Sequence, residues 1–518
     1  MPSLCPTQIL ILVVLVQQML AADVIIVGGG IAGVAAAYTT LKGSETATVL
    51  LLEAKVRLGG RLFSETLSDV PLVYEHGAHW IQGASVNHNP IAAWAKQAGV
   101  STVRTDGEGE PGCRPGLSLD SQGKRVPRTA VNATHDAASR VMSRMGCAQE
   151  EIQRRMTTGL GTDESLDAAI NRIITAAKLA DAKRRDSKLP RFLQKPHEVG
   201  FGKDSVDFAE QALRHALMSE SGLEYGAALS EMSAAWWDDD GYCPGAELIV
   251  TGGYDQVLDV ILSNCDGERF TARREAPVAA IKAATVTMGV TLLSGEVLRC
   301  RKVIVAVPLG VLQESIRGVP SDVVRGSIAF HPPLPPEKIL ALQRLRMGCF
   351  CKVLLVFDEV FWPSDPLFFT WFGAEVGGWF EWVNLHAVAK RQDSTGNLPA
   401  ALMATVAPPL STRLETTCSD AEVADEACSA LAKMFPRSTV PRPRLVRVTR
   451  WSVDPYCRGS YSFLPVGASP ADRVALATPC HNDRIFWAGE ACDTLYPSTV
   501  NGAYASGAAA AERMCAAL

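Results

Sequence analysis

The sequence predicts an α/β fold: a domain built on a parallel sheet, revisited several times along the chain and interleaved with an α+β domain. Three stretches predict it. Val24-Ile25-Ile26-Val27 is an unbroken apolar strand that runs into Gly28-Gly29-Gly30-Ile31-Ala32-Gly33 and then an Ala-rich helix. Val49-Leu50-Leu51-Leu52 is a second such strand and ends in the carboxylate of Glu53. Near the other terminus, Phe486-Trp487-Ala488-Gly489-Glu490 is a third short apolar strand ending in Gly-Glu. Uninterrupted apolar runs suit strands buried on both faces, as in a parallel sheet covered by helices.

The first strand and its loop read Gly28-x-Gly30-x-x-Gly33. Gly28 allows the tight turn, Gly30 lets the backbone approach a pyrophosphate, and Gly33 lets the helix sit close on the strand. The helix N-terminus then turns unpaired N–H groups and a positive dipole end toward phosphate. Glu53, about twenty residues on, stands where a ribose hydroxyl is expected to bond. The reading is a Rossmann-like dinucleotide site; the bland alternative is a glycine-rich turn without a ligand. If Glu490 reaches the same dinucleotide, the cofactor joins both ends of the chain.

Ile9 to Val16 is an apolar run too short to span a bilayer. Followed by Ala21-Ala22, it predicts a secretory signal over residues 1–22 and a secreted protein. An N-terminal tail or a shallow anchor is the alternative, as is a cytoplasmic or peroxisomal location. Leu72-Val73-Tyr74-Glu75 is a further strand, and residues 98–220 show helical period, as in Ser165 to Ile174. Thr251-Gly252-Gly253-Tyr254-Asp255 opens a turn into a helix, and Val303 to Val307 is a buried strand ending at Pro308. Pro332-Pro333-Leu334-Pro335-Pro336 marks a rigid crossover, and Lys352 opens the long strand that runs to Phe357. These give a discontinuous cofactor domain of 23–97, 221–316 and 440–518, and a second domain of 98–220 and 317–439.

Composition narrows the function. A net charge of −5 argues against nucleic acid as a main partner. The 14 cysteines permit disulfides but show no zinc spacing. Asn132-Ala133-Thr134 is an N-glycosylation sequon, which matters if the chain is secreted.

Further motifs carry a resemblance. Arg57-Leu58-Gly59-Gly60-Arg61 follows Glu53, and Glu75-His76-Gly77-Ala78-His79-Trp80-Ile81-Gln82-Gly83 follows that. Phe330-His331-Pro332-Pro333-Leu334-Pro335 precedes Lys352. Trp451-Ser452-Val453-Asp454-Pro455-Tyr456-Cys457-Arg458-Gly459-Ser460-Tyr461-Ser462 precedes the terminal Gly489-Glu490 and Tyr496 to Ala503. In this order the motifs resemble the FAD-dependent amine oxidases, and the polyamine oxidase branch among them.

The resemblance implies a Rossmann-like, GR2-type FAD-binding domain. Gly28, Gly30, Gly33, Glu53, Arg61, Gly77, Ala78, His79, Trp80, Val278, Trp451, Glu490, Thr499 and Val500 would hold the cofactor. Arg61 would face the pyrophosphate, the backbone of Val278 the adenine, and the Gly77–Trp80 turn the flavin ring. His79 is equally readable as a structural histidine of that turn. Lys352 would hold a water at the flavin, while Tyr461 and Thr499 would wall the amine. Ser460 stands where monoamine oxidases carry a flavin-linked cysteine, so the FAD is expected to be non-covalent. Gln82 departs from the family's usual Glu or His and cannot form a salt bridge with an amine.

The implied reaction removes hydride from a carbon beside a secondary nitrogen of spermine or spermidine. With O2 as acceptor it gives an aminoaldehyde, a shorter amine and hydrogen peroxide. The aromatic run Phe368 to Trp382, with Trp236-Trp237, stands as a candidate lining of a tunnel for the polycation, against the equally open reading of plain core. Asp238-Asp239-Asp240 stands as a candidate cation-attracting mouth, against the plainer reading of a solvated loop. An L-amino-acid or monoamine oxidase and a non-catalytic FAD protein remain the alternatives, and a histone demethylase is expected to need further domains. No stable membrane span is expected, and the chain is read as a monomer or homodimer.

Overall fold

The computed structural model describes residues 20–105, 116–180, 188–201, 206–265, 267–284, 286–317, 325–393 and 396–517. The apolar run Ile9 to Val16 lies outside the described residues. The fold is mixed α/β, with parallel and antiparallel sheets.

Five strands form a parallel sheet in the order Ile485–Trp487, Lys302–Val305, Val24–Val27, Val49–Leu52, Phe270–Arg273. The two strands read first from the sequence are buried at every position, which is why they carry no alternation. The chain's first strand sits at the centre and its last strand at the edge. Sequence position and sheet position are therefore uncoupled, and the two ends of the chain meet at one sheet.

Against this sheet lie the helix Ile31–Gly43 and the C-terminal helix Val500–Cys515. The second helix buries Gly502, Ala503, Ser506, Gly507, Ala510 and Ala511. A Cβ on Gly507 would sit 2.1 Å from the Ala32 carbonyl oxygen. The helices therefore touch backbone to backbone, a contact that only small residues permit. That contact fixes the N-terminus of the last helix beside the glycine loop.

A six-stranded sheet stands apart, in the order Leu445–Val448, Cys351–Val356, Ala401–Val406, Glu381–Asn384, Phe368–Trp371, Gly116–Leu119. Its neighbours are antiparallel except the last pair. Leu445–Val448 belongs to this sheet although it follows residue 440, where the sequence reading returns to the cofactor domain.

Residues 128–217 hold the helices Arg128–Thr157, Leu166–Leu179, Lys188–Gln194 and Val206–Leu217, packed around Val141, Met145, Ile170, Ile174 and Leu213. Ser165 caps the second by accepting the Ala168 N–H at 3.2 Å. Asn132 lies within the first, and the Thr134 hydroxyl of its sequon is buried, donating to the Ala130 carbonyl. Cys300, Cys351, Cys457 and Cys480 are free, buried cysteines. Among the described residues no helix is long and apolar enough to cross a membrane.

Candidate functional site

One cavity of about 1180 Å³ runs from the glycine loop to the antiparallel sheet. Every site residue expected from the sequence lines it except Gly33. Gly33 acts from behind: a Cβ there would lie 1.9 Å from the Gly28 carbonyl oxygen, so the helix start rests directly on the turn. Gly28 itself has a φ of +111°, which a residue with a side chain rarely adopts. Gly30 faces open space, since a Cβ added there would find its nearest neighbour 3.9 Å away, and it offers no side-chain cap to the helix Ile31–Gly43. The helix N-terminus thus faces the cavity without a side-chain cap.

Glu53 is 6% exposed at the edge of this loop. Its two oxygens accept the Gly29 N–H at 2.8 Å and the Lys55 N–H at 2.9 Å. A carboxylate has further lone pairs for a ribose hydroxyl. Val278 stands on the wall of the same cavity.

Arg61 bridges two far-apart motifs. Its Nη1 donates to Glu490 Oε1 at 2.9 Å and to the Ser460 carbonyl at 2.8 Å. Glu490 Oε2 accepts the Ser462 hydroxyl at 2.6 Å. Burial alone would raise the Glu490 carboxyl, but Arg61, the Ser462 hydroxyl and Arg473 outweigh it and hold the group below the usual carboxylate range. Behind them Arg473, fully buried, donates to Ser462 Oγ at 2.7 Å and to Asp239 at 3.0 Å.

That pairing revises the reading of the acidic run. Asp239 is a buried structural partner, Asp238 accepts from Gln149, and Asp240 alone lines the cavity, where it accepts the Tyr225 hydroxyl at 2.7 Å.

At the other end Lys352 is 3% exposed in a strand buried throughout. Its ammonium donates to the carbonyls of Glu75, at 3.1 Å, and Gly77. Burial pulls Lys352 down to about 7, with Glu75 opposing, and pushes Glu75 up. Gly77 is required here, since a Cβ would meet the Arg61 carbonyl oxygen at 1.6 Å. His79 is buried with Nδ1 unpartnered, and burial followed by the Lys352 charge keeps it well below the usual histidine range. The Trp451 indole N–H closes the turn on the His76 carbonyl at 3.2 Å.

Tyr461 donates to the Leu223 carbonyl at 3.2 Å, and the Phe350 ring stands 6.0 Å from its own. Thr499 is the N-cap of the helix Val500–Cys515: its hydroxyl accepts the Gly502 N–H at 2.9 Å and donates to the Tyr496 carbonyl at 2.8 Å. Ser460 Oγ accepts the Phe350 N–H at 3.0 Å. Gln82 donates to Glu224 Oε1 at 3.0 Å.

Glu224, Glu381 and Thr405 also line the cavity, and the sequence reading missed them. Glu224 follows a turn in a helical stretch, Glu381 is one charge among aromatics, and Thr405 is a polar residue in an apolar strand. Of these only Thr405 left a signal, as a hydroxyl where a buried strand expects an apolar side chain.

Most of the aromatic run lies in the core and not on the cavity. Phe369, Trp371, Trp379, Phe380 and Trp382 fill the core behind the antiparallel sheet, and Phe372 joins the helical core. Trp236 and Trp237 pack on that helical core. From this aromatic set only Phe368 lines the cavity; Trp80, Phe350, Trp451 and Tyr461 reach it from other segments. The pleat sends alternate residues to opposite faces, so a run of aromatics cannot all face one space.

A mixed α/β chain with a glycine cradle and a buried lysine on one cavity defines a cofactor-binding protein class. A family model described as flavin containing amine oxidoreductase matches residues 31–515, and the chain belongs to that family. It is similar to a lysine-specific histone demethylase 1 homolog 2 of Oryza sativa subsp. japonica, 30% identical over 485 residues that cover 92% of this chain and 55% of that protein. It is similar to a lysine-specific histone demethylase 2 of Homo sapiens, 27% identical over 94% of this chain and 52% of that protein. A polyamine oxidase 4 of Oryza sativa subsp. japonica is 29% identical over 93% of this chain and 86% of that protein. The chain spans about half the length of the two demethylases.

Proposed function

We propose that this chain is a FAD-dependent oxidase of polyamines. The observation that carries the reading is one cavity joining the glycine cradle to a pocket with a buried lysine and two carboxylates, Glu224 and Glu381, for cations. Glu224, beside Gln82, supplies the charge that the neutral amide lacks. In this reading 23–97, 221–316 and the chain from 449 to 518 form a Rossmann-like, GR2-type FAD domain, and 98–220 and 317–439, joined by the strand Leu445–Val448, the substrate domain. The run Ile9 to Val16 supports export from the cell.

The residues present fit FAD. The open face of Gly30, the uncapped helix start and the unpartnered His79 Nδ1 and Asn501 Oδ1 are polar groups and space awaiting a ligand. Gly28, Gly30, Glu53, Arg61 and Val278 would hold the nucleotide, and Gly77 to Trp80, Trp451, Glu490, Thr499 and Val500 the rest. Ser460 in place of a cysteine supports non-covalent binding. Bound FAD supplies a two-electron acceptor for the amine carbon.

The chain's own residues do the remainder. Glu224 and Gln82 orient the amine, and Tyr461 and Phe350 limit its approach. His79, kept neutral by burial, adds no repelling charge. Lys352, with its ammonium destabilised by burial, exchanges a proton near neutral pH and is held in place by two carbonyls.

The test is peroxide release from the flavin-loaded protein with spermine, spermidine, acetylated polyamines, monoamines, L-amino acids and a methyl-lysine histone peptide. Turnover of a polyamine above all others is expected. Preference for an amino acid, a monoamine or the methylated peptide, or no turnover at all, refutes the polyamine reading.

A further inference from the structure

Three residues on neighbouring strands of the antiparallel sheet stand in one row. Thr405 is paired with Lys352 on one side and with Glu381 on the other. Residues directly opposed in an antiparallel pair point to the same face, and all three line the cavity. Their neighbours Val353, Ala404 and Trp382 turn to the opposite face and fill the core. The row is thus a polar stripe across these three strands.

Thr405 is 2% exposed, and its hydroxyl has no hydrogen-bond partner. A buried hydroxyl without a partner is costly, and valine would fill the same space without that cost. Thr405 is one of the residues that line the cavity. Beside it, Glu381 Oε2 accepts the Ser219 hydroxyl at 2.7 Å. Ser219 comes from the helical turn Met218–Gly222, so the carboxylate is held between the sheet and that turn. Strand spacing of about 4.8 Å puts Glu381 roughly 10 Å from Lys352 along the row.

We propose that Glu381 and Thr405, steadied by Ser219, form a distal ammonium subsite that selects substrates carrying a second cation at a set distance from the reacting amine. The proposal rests on the polyamine reading and deepens it. Lys352 marks the reacting end of the row, Thr405 bonds the middle of the chain, and Glu381 receives the far ammonium. A charge-assisted bond at the far end rewards substrates of matching length and leaves single-cation amines without that gain. Glu381 is a specificity-determining residue in this scheme and takes no part in bond breaking.

Calorimetric titration of the flavin-loaded protein tests it, using spermidine and its two deaminated analogues, each lacking one terminal amino group. Wild type is expected to prefer spermidine over at least one analogue. In Glu381→Gln that preference ratio falls by about tenfold, and in Thr405→Val it falls less but in the same direction. If Glu381→Gln does not fold, Thr405→Val and Ser219→Ala carry the same measurement. Equal weakening of spermidine and both analogues means that Glu381 only braces the turn, and overturns the subsite. An unchanged ratio in the variants overturns it as well. Wild type that binds none of the three removes the polyamine reading itself, and the subsite with it.

Discussion

Arg61 Nη1 lies 2.9 Å from Glu490 Oε1, joining a motif at the start of the chain to one near its end. Glu490 is 4% exposed, and Arg61 is its charge partner on the cavity side. Arg61→Ala leaves a buried carboxylate with Arg473 and Ser462 only. Removing one partner of a buried pair costs roughly 3–5 kcal/mol. Arg61 keeps 22% of its side chain in solvent, so about 3 kcal/mol is expected, with loss of bound flavin. Denaturant unfolding within about 0.5 kcal/mol of wild type, with full flavin content, sinks this account.

Non-covalent flavin has a direct check. Acid or heat precipitation is expected to leave the yellow colour in the supernatant, because Ser460 replaces the linking cysteine and its hydroxyl is occupied by the Phe350 N–H. Flavin pelleting with the polypeptide contradicts it.

Lys352→Met keeps much of the side-chain volume but removes the proton and the bonds to the Glu75 and Gly77 carbonyls. Positioned acid–base groups contribute about a hundredfold or more. A loss of that size is expected in flavin reduction, in reoxidation, or in both, with FAD still bound. Stopped-flow absorbance separates the two half-reactions. Wild-type rates in both rule out a catalytic lysine.

The same variant carries a pH signature. With Lys352 pulled down to about 7, the unfolded chain holds a proton that the folded chain lacks from there up to the ordinary lysine range. Wild-type stability from this group therefore rises with pH across that window. In Lys352→Met the rise is lost, and Glu75, deprived of the neighbouring charge, is pushed further up. Its carboxyl then costs the variant more as pH rises. The stability gap between wild type and variant should widen by about 2 kcal/mol from about pH 7 to pH 9, read by urea unfolding. A constant or narrowing gap counts against a buried neutral lysine.

Gln82→Glu places a carboxylate beside Glu224. Two like charges at hydrogen-bond distance are expected to cost the free protein about 1 kcal/mol in this exposed setting. A cationic substrate relieves that repulsion and gains a charge partner. Thermal melts with and without spermidine should show a lower midpoint for the free variant and a larger upward shift on binding. A variant as stable as wild type, with no larger shift, would show that position 82 does not face the substrate.

The sequence by itself determined the glycine cradle, four of the five strands of its sheet and part of the cavity wall. Those features are local: a turn needs Gly28 whatever surrounds it, and a strand buried on both faces reads as an apolar run. Lys352 was legible for the same reason, as a charge at the head of such a run. Tertiary structure alone decided what sequence distance hides. It turned most of the aromatic run into core because the pleat alternates faces, and it spent Asp239 on Arg473. It set Glu224 against Gln82 and aligned Thr405 between Lys352 and Glu381. Those relations depend on which strands pair and in what register, and hydrogen-bond register between distant segments leaves no mark in the local pattern of either one.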